Sequence, residues 1–210
     1  MSKGDGFGHE APYEGETNDW ITPKWIIDAF DNYAYDKFGD GCFFYLDPCA
    51  SLTQPWPCAR KAYTKEQDGL VQPWHGGRVW LNPEYGPHAS KWVRRLAEYG
   101  EGIALIFARV ETKLWQDWIF PTASGYLWPR GRIAFARPNG VTPKSSSGAP
   151  SAFIAWGGEC RSALIEMVES GAIPGAFQDT AFYTGSYHSV EDARKAQPSL
   201  FEMERANDGT

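Results

Sequence analysis

Three short apolar runs constrain this chain more than any other feature: Phe43–Asp47 (FFYLD), Arg78–Asn82 (RVWLN) and Ile103–Phe107 (IALIF). Runs of this length bounded by polar or turn residues read as buried strands. A helical pattern covers His88–Tyr99, between the second and third runs. Upstream, residues 23–38 (PKWIIDAFDNYAYDKF) repeat Trp25, Ile26, Ala29, Phe30, Tyr33 and Ala34 at helical spacing. Thr22 is a candidate cap for that helix, Pro23 suits its first position, and Gly39 and Gly41 end it. Thr112–Phe120 suggests another helix, and Tyr126–Trp128, Ile133–Phe135 and Ser151–Trp156 suggest later strands. Strand and helix alternating in this way predict an α/β fold, a mostly parallel sheet with helices on both faces.

No internal repeat or linker divides the 210 residues, a length that suits one domain. The expected organisation is a flexible arm over 1–16, one domain over 17–189 and a polar tail over 190–210. Aromatics reach 15% with ten Trp, which argues against disorder. Most of those Trp are expected in the core. There is no run of about 18 apolar residues and no apolar N-terminal segment, so neither a membrane span nor a secretory signal is expected. A cytoplasmic protein without a membrane partner is the expectation. The oligomeric state is not encoded in any motif, with a monomer slightly favoured.

Cys42, Cys49, Cys58 and Cys160 form no C-x-x-C pair, and reduced thiols are expected. A zinc site from Cys49, Cys58, His75 or His88 would match no familiar spacing, so no metal is expected. The net charge is −6, which taken alone opposes nucleic-acid binding. The charge is polarised, however. Asp28, Asp31, Asp36, Asp40 and Asp47 crowd one stretch, whereas residues 130–144 hold Arg130, Arg132, Arg137 and Lys144 with no acid among them.

The tetrapeptide Asn82-Pro83-Glu84-Tyr85 follows a predicted strand and precedes a Gly-Pro turn and a helix. Ligands of open α/β sheets sit at the carboxyl ends of strands, so its place suits a site. An exocyclic amine on an aromatic ring is a poor nucleophile until acceptors hold its N–H bonds. The Asn82 side-chain oxygen and the Pro83 carbonyl could be those acceptors, and Tyr85 offers a ring on which an extruded base can stack. Read alone, the tetrapeptide is more often an Asn-Pro turn at a strand end. Asp47-Pro48-Cys49-Ala50-Ser51 ends the preceding strand, where a carboxylate can bind a ribose hydroxyl or an ammonium group. Asp68-Gly69-Leu70 is locally no more than a turn. No G-x-G-x-x-G follows a strand, so a dinucleotide fingerprint is absent.

Taken in order, these pieces carry a resemblance. Trp20-x-Thr22-Pro23, Leu46-Asp47-Pro48-x-Ala50-Ser51, Cys58, Tyr63-Thr64, Asp68-Gly69-Leu70, Trp74, Leu81-Asn82-Pro83-x-Tyr85, Trp92 and Gly131-Arg132-Ile133-x-Phe135 resemble the phage-type DNA N-6-adenine methyltransferases, the Dam-like family of bacteriophages and prophages. The similarity runs from about residue 17 to 157. It implies a Rossmann-like methyltransferase fold, S-adenosylmethionine as methyl donor, and DNA as partner. By position it implies catalytic roles for Asn82, Pro83 and Tyr85, and cofactor contacts for Thr22, Pro23, Asp47, Pro48, Ala50, Asp68 and Asn82. A phage would use the modification to shield its DNA from restriction or to adjust its own gene control. The family usually shows N-P-P-Y, and Glu84 stands at the third place here, where a carboxylate repels phosphate unless a cation such as Arg109 pairs with it.

Lys91, Arg94 and Arg95 on the helix after the tetrapeptide, with Arg132, Arg137 and Lys144, are the candidate phosphate contacts. The long 136–150 loop is the candidate for target recognition. Two alternatives stay open: the same fold acting on a non-DNA amine or amide nitrogen, and a catalytically degenerate relative that binds DNA or protein.

Overall fold

A computed structural model of the chain describes residues 20–84, 88–143 and 148–180. The expected arm over 1–16 and tail over 190–210 lie outside the described residues, as do Tyr85 and Lys144. The elements in order are α1 (Lys24–Phe38), β1 (Leu46–Ala50), β2 (Lys61–Thr64), β3 (Val79–Leu81), α2 (Ala89–Tyr99), β4 (Gly102–Phe107), a π-helical turn (Leu114–Ile119) running into α3 (Phe120–Thr122), β5 (Gly125–Pro129), β6 (Ser151–Trp156), α4 (Gly158–Glu169) and β7 (Gly175–Asp179). The seven strands form one sheet in the order β2-β1-β3-β4-β6-β5-β7.

The parallel pairing expected from the sequence holds over β2, β1, β3 and β4. The other half is antiparallel, because β6 returns after the long loop and inserts between β4 and β5. Alternation along each strand sends side chains to two separate cores. Trp80, Ile103, Leu105, Leu127, Phe153 and Ala155 face α1 and α4, where Ile26, Phe30, Cys160, Leu164 and Met167 meet them. Val79, Leu81, Ala104, Ile106, Tyr126 and Ile154 face α2 and the π-helical turn, meeting Val93, Leu96, Trp115 and Ile119. Helices therefore cover both faces.

Several local expectations change. Pro23 sits at the N-cap of α1 rather than inside the helix, and no side chain caps it. Thr22 is not a cap: its hydroxyl turns inward to Trp80 and Asn82. Gly39 at φ 70° ends α1, donating its N–H to the Tyr35 carbonyl at 2.8 Å. Strand β1 starts at Leu46, not Phe43, because Phe43 and Phe44 turn under α1 against Phe30, with ring centroids 5.6 and 5.1 Å away. Ile133 and Phe135 are buried but form no strand; only Ala136 pairs, bridging to Ile21. The sequence patterns described above do not predict strands β2 and β7 or helix α4. For α4 the signal was present: Cys160, Ala163, Leu164 and Met167 recur at helical spacing.

Candidate active site

Pro48 interrupts β1, since proline has no N–H to give the ladder. The pairing with β2 steps from Asp47↔Ala62 to Ala50↔Thr64, so β1 holds one residue more than its partner there. This bulge bends the strand where Asp47 stands. Asp47 is 3% exposed, and its Oδ1 accepts the Cys49 backbone N–H at 3.1 Å. Burial pushes its carboxyl up to about 6, against the opposing effect of the Cys49 N–H and the Gln54 side chain.

Beside the bulge lies the Asp68-Gly69-Leu70 turn. A Cβ on Gly69 would come within 1.9 Å of the Pro48 carbonyl oxygen, so the turn can approach β1 only as glycine. Asp68 adopts φ 50°, uncommon for a non-glycine residue, and its Oδ1 accepts the Leu70 N–H at 3.1 Å. The indole of Trp74 donates to the Gly69 carbonyl at 2.8 Å, and Arg95 from α2 lies 4.7 Å over the Trp74 ring. The Arg95 guanidinium also donates to the Gln72 and Gly69 carbonyls.

At the end of β3, Asn82 donates from Nδ2 to the Trp20 carbonyl at 2.9 Å and to the Thr22 hydroxyl at 3.1 Å. Its Oδ1 is buried and accepts no hydrogen bond. The Trp20–Thr22 segment is itself fixed. Ile21 and Ala136 exchange two backbone bonds of 3.0 and 2.9 Å, and the Trp56 indole donates to the Thr22 carbonyl at 3.0 Å.

These pieces enclose one cleft of about 400 Å³ beyond the carboxyl ends of β1, β2 and β3. Thr22, Asp47, Pro48, Ala50, Asp68, Asn82 and Pro83 all line it. Pro23, expected at the cofactor, is not in the wall, because it is buried at the start of α1. Trp20, Gln54, Lys65, Trp80, Glu84, His88 and Trp92 also line the cleft. Trp20 and Trp92 belonged to the motif set, and that was their only signal. Gln54 gave none, being an ordinary loop polar residue until the fold sets it beside Asp47.

The basic residues divide. Lys91, Arg132 and Arg137 are exposed. Arg137 follows Ala136, so the bridge to Ile21 holds it beside a segment of the cleft wall. Arg94 and Arg95, expected at phosphates, are half-buried instead: Arg94 lies 4.8 Å over the Trp118 ring, and Arg95 braces the 68–74 loop. Arg109, the expected partner of Glu84, lies 5.7 Å over the Phe107 ring, and among the described residues it makes no ion pair with Glu84. No cluster of three or more metal-ligating side chains occurs among the described residues, and no helix there is long and apolar enough to cross a membrane.

A family model described as DNA N-6-adenine-methyltransferase (Dam) matches residues 12–165, and that span contains every element of the cleft. The chain belongs to the Dam DNA N-6-adenine-methyltransferase family. Comparison with curated proteins and with solved structures returned no match. Family membership implies DNA as the substrate and adenine methylation as the activity. For a Dam family member, the cleft has a consistent chemistry. Two carboxylates, the buried Asp47 and the exposed Asp68, line it, which suits a cationic small molecule better than a phosphate, and its volume is that of a small-molecule site.

Proposed function

We propose that this protein is an S-adenosylmethionine-dependent DNA methyltransferase that transfers a methyl group to the exocyclic N6 of adenine. The observation that carries the reading is the buried, unpartnered Oδ1 of Asn82, a residue that lines the cleft together with Asp47 and Asp68. A buried acceptor without a partner is costly unless a ligand supplies the donor. An adenine amine is such a donor.

The residues fit the cofactor. Asp47 and Asp68 would hold its cationic and hydroxyl-bearing parts, with Pro48 and Ala50 of the bulge shaping the wall. Bound S-adenosylmethionine supplies an electrophilic methyl group. Asn82 Oδ1 and the Pro83 carbonyl accept the two N6–H bonds, which builds electron density on the attacking nitrogen as the new bond forms. Tyr85 is proposed to stack the extruded base. The N6 lone pair forms the N–C bond while the methyl–sulfur bond breaks onto sulfur, and the extra N6 proton leaves to water. No covalent enzyme intermediate is required, so positioning supplies much of the rate. Lys91, Arg132, Arg137 and Lys144 are the proposed phosphate contacts. A phage or prophage would use such a modification to protect its DNA from restriction.

The test is transfer of labelled methyl from S-adenosylmethionine to unmethylated DNA. Label is expected in adenine, and Asn82→Ala should lower kcat by about 10²–10³-fold. Label in protein or small amines but not DNA would replace the DNA reading with the other amine substrate. Cofactor binding with no transfer to any acceptor would indicate a degenerate relative.

A further inference from the structure

We infer that Thr22 is a positioning residue for the Asn82 amide: with the Trp20 carbonyl, its hydroxyl fixes which end of that amide faces the cleft. The inference rests on the reading that Asn82 Oδ1 accepts the substrate amine.

The oxygen and nitrogen ends of an Asn amide have nearly the same shape, so packing alone does not select between them. Chemistry does. The Trp20 carbonyl only accepts, so the atom 2.9 Å from it must be Nδ2. The Trp80 indole only donates, so the Thr22 hydroxyl, 3.2 Å away, must accept from it. The buried Cys58 thiol is a further neighbour of that hydroxyl. At 3.1 Å the same hydroxyl accepts from Asn82 Nδ2. Both Nδ2 protons are thus committed, one to each acceptor. Oδ1, on a residue that lines the cleft, is left with its acceptor capacity intact. Rotating the amide by half a turn would set Oδ1 against the Trp20 carbonyl and aim an N–H donor at the incoming amine.

Thr22 is 2% exposed and sixty residues from Asn82, and Trp80 sits on the strand that ends at Asn82. One core tryptophan therefore orients a hydroxyl, and the hydroxyl orients the acceptor. This is distinct from contact with a cofactor: Thr22 acts through Asn82.

Two substitutions separate the hydroxyl from the shape. Thr22→Val keeps the volume and removes the lone pair; Thr22→Ser keeps the hydroxyl. Methyl transfer to DNA by Thr22→Val should show kcat lower by about tenfold or more with both KM values within about twofold, and Thr22→Ser should restore most of kcat. In an Asn82→Ala background Thr22→Val should cost nothing further, since the amide it orients is gone. A second readout needs no turnover: the Asn82 side-chain N–H protons, followed by nitrogen-15 NMR, should be protected from exchange in the wild-type protein and in Thr22→Ser, and exchange at least about tenfold faster in Thr22→Val, where only the Trp20 carbonyl still accepts. Unchanged kcat in an active Thr22→Val protein, or wild-type Asn82 side-chain protons exchanging as fast as those of a free amide, overturns the assignment. The wild-type exchange measurement stands whether or not Thr22→Val folds. Wild-type protein that fails to methylate DNA overturns the methyltransferase reading instead, and the exchange data still decide the role of Thr22.

Discussion

Asp47 carries a carboxyl out of water into the strand bulge, and burial raises its pKa from 3.8 to about 6. Without ligand, the unfolded chain ionises this group near 3.8 while the folded chain holds the proton up to about 6. The folded state binds more protons in that window, so stability falls as pH rises through it, by about 3 kcal/mol at most, and is level above it. Asp47→Asn should remove that slope, as read by urea unfolding between about pH 4 and 8. A cation bound beside Asp47 favours the ionised form. S-adenosylmethionine affinity should therefore weaken as pH drops through about 6 in the wild-type protein. In Asp47→Asn it should be weaker throughout and flat, as measured by titration calorimetry. An affinity that does not change across this range would remove Asp47 from the cofactor site. Asp47 and Asn82 were legible as polar residues closing predicted strands, whereas the burial that tunes one and the two acceptors that aim the other come from segments distant in sequence.

The 68–74 loop is held against β1 by α2, and Arg95 is the brace. Its guanidinium covers the Trp74 ring and donates to the Gln72 and Gly69 carbonyls, while burial lowers its pKa. Arg95→Ala should release the Asp68 turn and weaken cofactor binding by about tenfold or more, the effect of losing more than one charged hydrogen bond. The salt dependence of DNA binding should stay as it is. Arg137→Ala should do the reverse, leaving cofactor affinity alone and reducing the slope of log K against log salt by about 0.9. Fluorescence titration with each ligand across a salt series checks both. A shallower slope in Arg95→Ala would return that residue to the phosphate contacts. The difference between these two arginines is invisible in sequence, because charge on a predicted helix face says nothing of whether a tryptophan and two carbonyls stand opposite it.

Across the whole molecule, the sheet places its last-made central strand between β4 and β5, and all six residues of β6 are buried. A chain ending at residue 150 would leave β4 and β5 without a shared neighbour and both cores open. It should show no cooperative thermal transition by circular dichroism, whereas the full chain should show one. Phe30→Ala, which empties the centre of the α1-facing core, should destabilise the protein by about 3–5 kcal/mol. The alternating apolar runs and their polar ends determined, from sequence alone, an α/β sheet with polar residues at the carboxyl ends of its strands. The motif order determined the family. Both are local signals: periodicity within a run and residue types at short spacing. Only the tertiary structure decided that β6 crosses back to make half the sheet antiparallel, since strand order depends on which hydrophobic faces meet rather than on any run by itself. It also decided the work of Thr22 and Arg95. Their partners lie 60 and more than 20 residues away in the chain, and a hydrogen bond is set by distance and direction in space.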